Sequence, residues 1–420
     1  MTEETIGAGP GSAPKRRFGK NAFLFVFVTV LLDMMGYGLI IPVLPSLLVE
    51  LTQKPAEELV IWSGLLTATF GLTNFLAGPT LGGLSDRFGR RPVLLASLAT
   101  LALDYLIMGF ANTLVLLFIG RALAGLSSAT FSTANAYIAD TTTPEERGKA
   151  FGIIGAAFGV GFVLGPILGG FLGEISMRAP FFAAAALATL NFLYGWFVLP
   201  ESLAPENRRA FEFQRSNPLG AFKHFRKLPH VSWFLVILAL YSLAHSVYPQ
   251  TWHFHGTIRY GWGPGEIGFS LTMVGVVDAF VQAVLLGYVL KKWGPERTLF
   301  AGLAVGTFAF LAFSMANVGW VALVIIPFTA LSGVVRPTLT TIMSNATPAD
   351  AQGELQGATA AMGSLAMILS PIIMTNTLQW FVGDGAPVYF PGAAFLLAAA
   401  MTAVCFIPFL LGVRSRKASE

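Results

Sequence analysis

Residues 82–92 read Gly82-Gly83-Leu84-Ser85-Asp86-Arg87-Phe88-Gly89-Arg90-Arg91-Pro92. Two glycines at the start let helix ends approach closely. Asp86 is placed to cap or pair at a helix end, and Gly89 to make a tight turn. Pro92 suits the first turn of a following helix. On either side run apolar stretches, 58–81 and 92–111, each near the roughly 20 residues that cross a bilayer. The stretch therefore reads as a charged loop between two membrane helices.

Working outward, the same alternation fills the chain. Of 420 residues, 55% are hydrophobic and only 11% charged, against about 25% charged in ordinary soluble domains. That excludes a soluble multidomain enzyme and a disordered scaffold. Apolar spans are expected at 21–49, 58–81, 92–111, 113–139, 149–173, 179–199, 231–254, 265–290, 297–316, 318–344, 354–382 and 388–412. The expectation is an all-α membrane protein with twelve transmembrane helices in two six-helix halves, 21–199 and 231–412. A cytoplasmic tail (1–20), a basic cytoplasmic linker (200–230) and a short cytoplasmic tail (413–420) complete it. The single cysteine, Cys405, lies in an apolar run, which excludes an internal disulfide and a Cys-based metal site.

The basic residues give an orientation. With the N-terminus inside, 21 of the 26 Lys and Arg fall in inside segments. Lys54, Arg178 and Arg259 lie outside, and Arg121 and Arg336 lie within spans. Both termini are thus expected in the cytoplasm, with the chain in the cell (inner) membrane. The halves also echo one another. Gly148, Gly152 and Pro166 recur as Gly353, Gly357 and Pro371 at an offset of 205 residues, preceded by Thr143-Pro144 and Thr347-Pro348. Repeated halves around a central cavity are a common transporter plan.

The 82–92 loop resembles the signature between the second and third helices of the major facilitator superfamily. Gly155, Gly159, Gly161, Gly165-Pro166 and Gly169-Gly170 resemble that superfamily's drug–proton antiporter motif. The stretch 32–45 (Leu32-Asp33 through Pro42-Val43-Leu44-Pro45) resembles the first helix of the tetracycline efflux proteins. So do Asp104-Tyr105, Gly120-Arg121, Tyr137 to Asp140, Leu199-Pro200-Glu201-Ser202 and Gly353-Glu354-Leu355-Gln356-Gly357. The resemblance implies the major facilitator fold, export of small molecules and exchange for protons. The chain departs from that pattern in its second half. Asp278 stands where the family has a histidine in helix 8. No Asp or Glu lies between Glu296 and Asp350, where the family carries an essential helix 9 acid, and Arg336 precedes Pro337 in helix 10. These departures leave the substrate open.

Five ionisable residues lie within expected spans: Asp33, Asp104, Arg121, Asp278 and Arg336. A charge at mid-membrane costs about 2.5–3.5 kcal/mol on insertion scales, so each must pair, face water or be neutralised. Asp33, Asp278 and Asp104 are the candidates for proton coupling, with Asp278–Arg336 and Asp33–Arg121 as expected pairs. Substrate-binding candidates are Arg336, Tyr241, His245, Tyr248, Asn74, Asn135 and Gln282. Tyr241, His245 and Tyr248 are spaced by four and three, on one helix face. Trp252, His253 and His255 are expected in an outer aromatic belt. Gating candidates are Asp86, Arg90, Arg121, Asp140, Gly165 and Pro166.

No phosphate-binding loop of the Gly-x4-Gly-Lys-Ser/Thr type occurs, so energy is expected from gradients, without ATP, cofactor or metal. No nucleophile–base constellation points to an enzyme. The expected activity is proton-coupled export of a small amphipathic compound. Its partners are that small molecule, protons and the bilayer, with no nucleic acid, and a monomer is the superfamily norm. Export of organic anions, proton symport of a nutrient, or a transport-dead receptor are the alternatives.

Overall fold

The computed structural model describes residues 20–127, 129–142, 144–209, 231–348, 351–383 and 385–419. The tail read over 1–20 (all but its last residue), Thr143, Asp350 and most of the linker (210–230) lie outside these. Among the described residues every regular element is a helix. In chain order these are α1 Lys20–Ile40, α2 Leu44–Thr52, α3 Ala56–Phe88, α4 Arg90–Phe110, α5 Leu114–Ser127, α6 Ala129–Thr141, α7 Pro144–Ile175 and α8 Ala179–Val198. After the linker come α9 Ser232–His245, α10 Val247–Tyr260, α11 Pro264–Phe280, α12 Leu286–Met315, α13 Gly319–Ala330, α14 Val335–Ala346, α15 Gln352–Val382, α16 Ala393–Val404 and α17 Phe406–Ser419. Ten helical runs among them are long and apolar enough to cross a membrane; the chain is a multi-pass membrane protein.

Prolines set most interruptions. A proline lacks an N–H and crowds the carbonyl four residues earlier. Pro249 stands four residues after His245, where α9 ends. Pro337 stands four after Gly333, inside the 3₁₀ turn Leu331–Val334 that separates α13 from α14. Pro45 stands four after Ile41, which opens the 3₁₀ turn Ile41–Val43 between α1 and α2. A π turn, Val281–Leu285, joins α11 to α12. The resulting 52-residue run Pro264–Met315 is long enough at about 1.5 Å per residue for two crossings of a roughly 30 Å core. Gly294, at φ 74°, breaks its helical path.

Several boundaries differ from the sequence reading. The helix expected to end at residue 81 continues through Gly82 and Gly83 to Phe88. No neighbouring atom lies within 4 Å of a Cβ built at Gly82, so that glycine serves no close helix contact here. Gly89 does make the turn, at φ 108°. The last span begins at Ala393, not 388, and its helix runs through the expected tail to Ser419.

The two most extensive crossings between residues before the linker and residues after it are α7 with α11, and α3 with α15. Small residues make both possible. A Cβ at Gly170 would stand 2.7 Å from the Pro264 carbonyl oxygen, and one at Gly71 would stand 3.0 Å from that of Met367. Hydrogen bonds run across the same contacts. The Gly265 N–H donates to Glu174 Oε1 at 2.9 Å, Thr272 Oγ1 to the Val163 carbonyl at 3.2 Å, and the Ile61 N–H to Gln379 Oε1 at 3.3 Å. Most of these contacts lie toward the end remote from Gly89. Toward the other end, Gly152, Gly155, Gly159 and Gly363 have no neighbour within 4 Å of an added Cβ.

Candidate functional site

A central cavity of about 740 Å³ lies between the two parts of the chain. Its second-part wall comes from the α9–α10 break, α14 and α15; Tyr37, Thr67 and Phe70 face it from the first part. On α15, Gln356, Thr359, Gly363 and Ser370 repeat every three to seven residues, so one polar, small-residue stripe faces the cavity. Its residues carry no charge, so the stripe does not stand out in the sequence.

Of the substrate-binding candidates, Arg336, Tyr241 and His245 line this cavity. The Tyr241 and His245 rings stack at 5.3 Å, and the Tyr241 hydroxyl donates to the Ser332 carbonyl at 2.8 Å. Tyr248 is on the same helix side, yet the α9–α10 break turns it away. It packs against Phe310, Phe313 and Phe395 in the apolar core instead. Asn74, Asn135 and Gln282 are not among the cavity-lining residues. Gln282 is exposed, and its amide donates to Asp278 Oδ2 at 2.6 Å.

The expected ion pairs form differently. Arg121 Nη2 lies 3.0 Å from Asp104 Oδ2, not on Asp33; Asp104 is fully buried. Asp33 lines a side pocket with Asp104 and Arg121, whose wall toward the central cavity includes Tyr37 and Phe70. Asp33 takes part in none of the ion pairs among the described residues. Asp278 and Arg336 do not pair either. Asp278 abuts Gly333, where an added Cβ would stand 2.5 Å from Oδ1, while Arg336 projects into the central cavity. Gly333 thus makes room for the acid on α11.

Trp252, His253 and His255 are buried rather than in an outer belt. Trp252 Nε1 donates to Ser270 Oγ at 2.8 Å. His255 ring nitrogens lie 3.0 Å from the Pro391 carbonyl and 3.2 Å from the Tyr260 hydroxyl. His253 Nε2 lies 3.2 Å from Ser63 Oγ on α3, another bond between residues before and after the linker. No trio of His, Cys, Asp or Glu among the described residues could hold a metal ion.

The loop candidates form one network. Arg90 lies 2.5 Å from Asp86 and 3.2 Å from Asp140, and donates to Ser85 Oγ at 2.6 Å. Ser202 Oγ donates to Asp140 at 3.2 Å. Sequence reasoning missed Glu201, whose carboxylate accepts the first two N–H groups of α4, Arg90 and Arg91, at 2.8 and 3.3 Å. An acid there satisfies orphan donors and meets the helix dipole. The network ties α3, α4 and α6 to Glu201 and Ser202, the segment that follows α8. Gly165 and Pro166 lie where α7 crosses α1, and the Pro166 carbonyl also meets Gly268 of α11.

The sequence profile of the Major Facilitator Superfamily matches residues 26–371. The chain belongs to the major facilitator superfamily. Among its relatives is the class C tetracycline resistance protein of Escherichia coli, 38% identical over 95% of this chain and 99% of that protein. The class B protein of the same organism is 36% identical over 85% and 90%. A solved bacterial homolog of the human lysosomal transporter Spinster, in an inward-facing and unoccupied conformation, shares the fold. Its TM-score is 0.77 at 17% identity, covering 96% of this chain and 98% of that one. This superfamily comprises transporters, not enzymes.

Proposed function

We propose that this superfamily member is a proton-coupled exporter of a small amphipathic, drug-like compound, working by alternating access as a monomer. The observation that carries the reading is the one-sided cavity. It is crossed toward one end by α3–α15, α7–α11 and Ser63–His253 contacts, whereas toward the other end Gly152, Gly155 and Gly159 of α7 have no neighbour within 4 Å of an added Cβ. The drug-resistance relatives support export.

In this reading the helices make twelve spans. The 52-residue run supplies two, and α5 with α6 supplies one. Residues 21–199 and 231–412 are the two six-helix bundles, rocking about the cavity, with both termini cytoplasmic. Asp33, Asp278 and Asp104 serve proton coupling, and Arg336, Tyr241 and His245 serve the substrate. Asp86, Arg90, Asp140, Arg121, Gly165 and Pro166 serve gating. Asp278 is the first choice for proton carrier, since its partner is only a neutral amide.

The test uses everted membrane vesicles with tetracycline and ethidium as probes. An acid interior should drive accumulation of at least one probe by the native chain. Asp278→Asn should lose the gradient dependence while keeping probe binding. Coupling unchanged in Asp278→Asn removes it as carrier; no gradient-driven uptake of either probe removes the export reading.

A further inference from the structure

Among the described residues that line the central cavity, Arg336 is the one with a formal charge. It takes part in none of the ion pairs among the described residues. Three acids within the spans, Asp278, Asp104 and Asp33, are each engaged or set apart from it. Asp278 is bonded to Gln282 and lodged against Gly333. Asp104 holds Arg121, and Asp33 lies in the side pocket beyond Tyr37 and Phe70. The wall of the same cavity holds further unmet polar capacity. His245 Nδ1, Gln250 Oε1 and Ser370 Oγ are buried without a hydrogen-bond partner, and all three residues line the cavity. Buried polar atoms are nearly always partnered; these three are enclosed within the wall rather than exposed to the cavity. Around them the wall is aromatic, with the stacked Tyr241 and His245 rings facing Phe70 and Tyr37.

We infer that the cavity is built for an amphipathic compound bearing an ionised acidic group, and that Arg336 is the anchor for that group. A guanidinium presents a planar fork that matches the two oxygens of a carboxylate or the oxygens of an enolate, and its charge survives at every working pH. The aromatic wall takes the flat apolar body, and polar residues lining the cavity, among them Ser246, Thr340, Gln356 and Thr359, take its remaining polar atoms. The inference rests on the central cavity being the transport site. It specifies the substrate's charge, which proton-coupled export leaves open. Arg336 is then a specificity-determining residue rather than a counter-ion of Asp278.

Two probes of one skeleton test this: 1-pyrenebutyrate, an acid, and 1-pyrenebutanol, its uncharged alcohol. Their binding to the full-length protein in lipid nanodiscs is measured against empty nanodiscs. The native chain should bind the acid about tenfold or more tighter than the alcohol, the scale of one charge-assisted bidentate contact. Arg336→Gln should erase the preference with alcohol binding kept, and Arg336→Lys should retain part of it. Asp278→Asn should leave the preference in place. Equal binding of acid and alcohol by the native chain, binding of neither, or a preference that survives Arg336→Gln overturns the inference. So does a preference that collapses in Asp278→Asn, which would make Arg336 that residue's partner. Gradient-driven uptake of the probes in everted vesicles separates the two readings. Uptake without acid preference removes the anchor and leaves export standing; acid preference without gradient-driven uptake does the reverse.

Discussion

Asp104 and Arg121 illustrate how a membrane interior handles a charge. Asp104 is fully buried and Arg121 nearly so, at 0% and 13% side-chain exposure, 3.0 Å apart. Removing one member of a buried pair strands the other and costs about 3–5 kcal/mol. Arg121→Leu should therefore lower the unfolding temperature strongly, and Arg121→Leu with Asp104→Leu should recover much of the loss. A thermal melt of the purified variants reads both, and equal melting of the single and double variants would refute the pair's structural weight. The sequence made these residues visible, because charges are rare in apolar runs. It did not give their partners. Position along a helix fixes depth in the membrane, whereas pairing depends on which way each helix is rotated. Asp33, Asp104 and Arg121 do share one pocket, but the rotation of α4 gives Arg121 to Asp104. Tyr248 failed for a related reason. The four-and-three spacing is sound, yet Pro249 breaks the helix beside it and carries that ring into the core.

At the level of elements, small residues decide where helices touch. Gly268 of α11 sits against the Pro166 carbonyl of α7, and Gly170 against Pro264. A larger side chain cannot fit without separating the helices, and overpacking costs about 1–3 kcal/mol. Gly268→Val should therefore shift the chain toward opening at this end. Cys405 is fully buried, so a Cys405→Ser background with a reporter cysteine at Gln379 can read the shift. Its alkylation from the closed side should rise roughly tenfold, matching 1.4 kcal/mol. An unchanged rate would show that this crossing does not hold the closure. The glycine pattern of α7 was legible because it repeats on a helical period. The α15 stripe was not, because Gln, Thr and Ser in an apolar run look like ordinary tolerance until the helix's orientation is known.

For the whole molecule, the membrane class and the major facilitator family both follow from composition and motif. Cavity shape does not, since it depends on how two groups of helices lean together. That lean can be fixed chemically. Val163 and Gly275 face each other with a Cβ–Cβ separation of 3.7 Å for an added Cβ, inside the range for a disulfide. Val163→Cys with Gly275→Cys on the Cys405→Ser background should cross-link under mild oxidant, abolish probe uptake, and regain it on reduction. Uptake that persists in the cross-linked protein would show that α7 and α11 need not part. Finally, Gly152, Gly155 and Gly159 have no neighbour within 4 Å of an added Cβ, yet each weakens its helix by about 1 kcal/mol relative to alanine. In this conformation alone that is a loss without return. A helix segment kept floppy and bare on one face is intelligible as a surface reserved for a partner that arrives later in the cycle. In the proposed cycle the chain's composition is then an average over shapes, and the glycines of α7 are kept for a geometry other than the one described here.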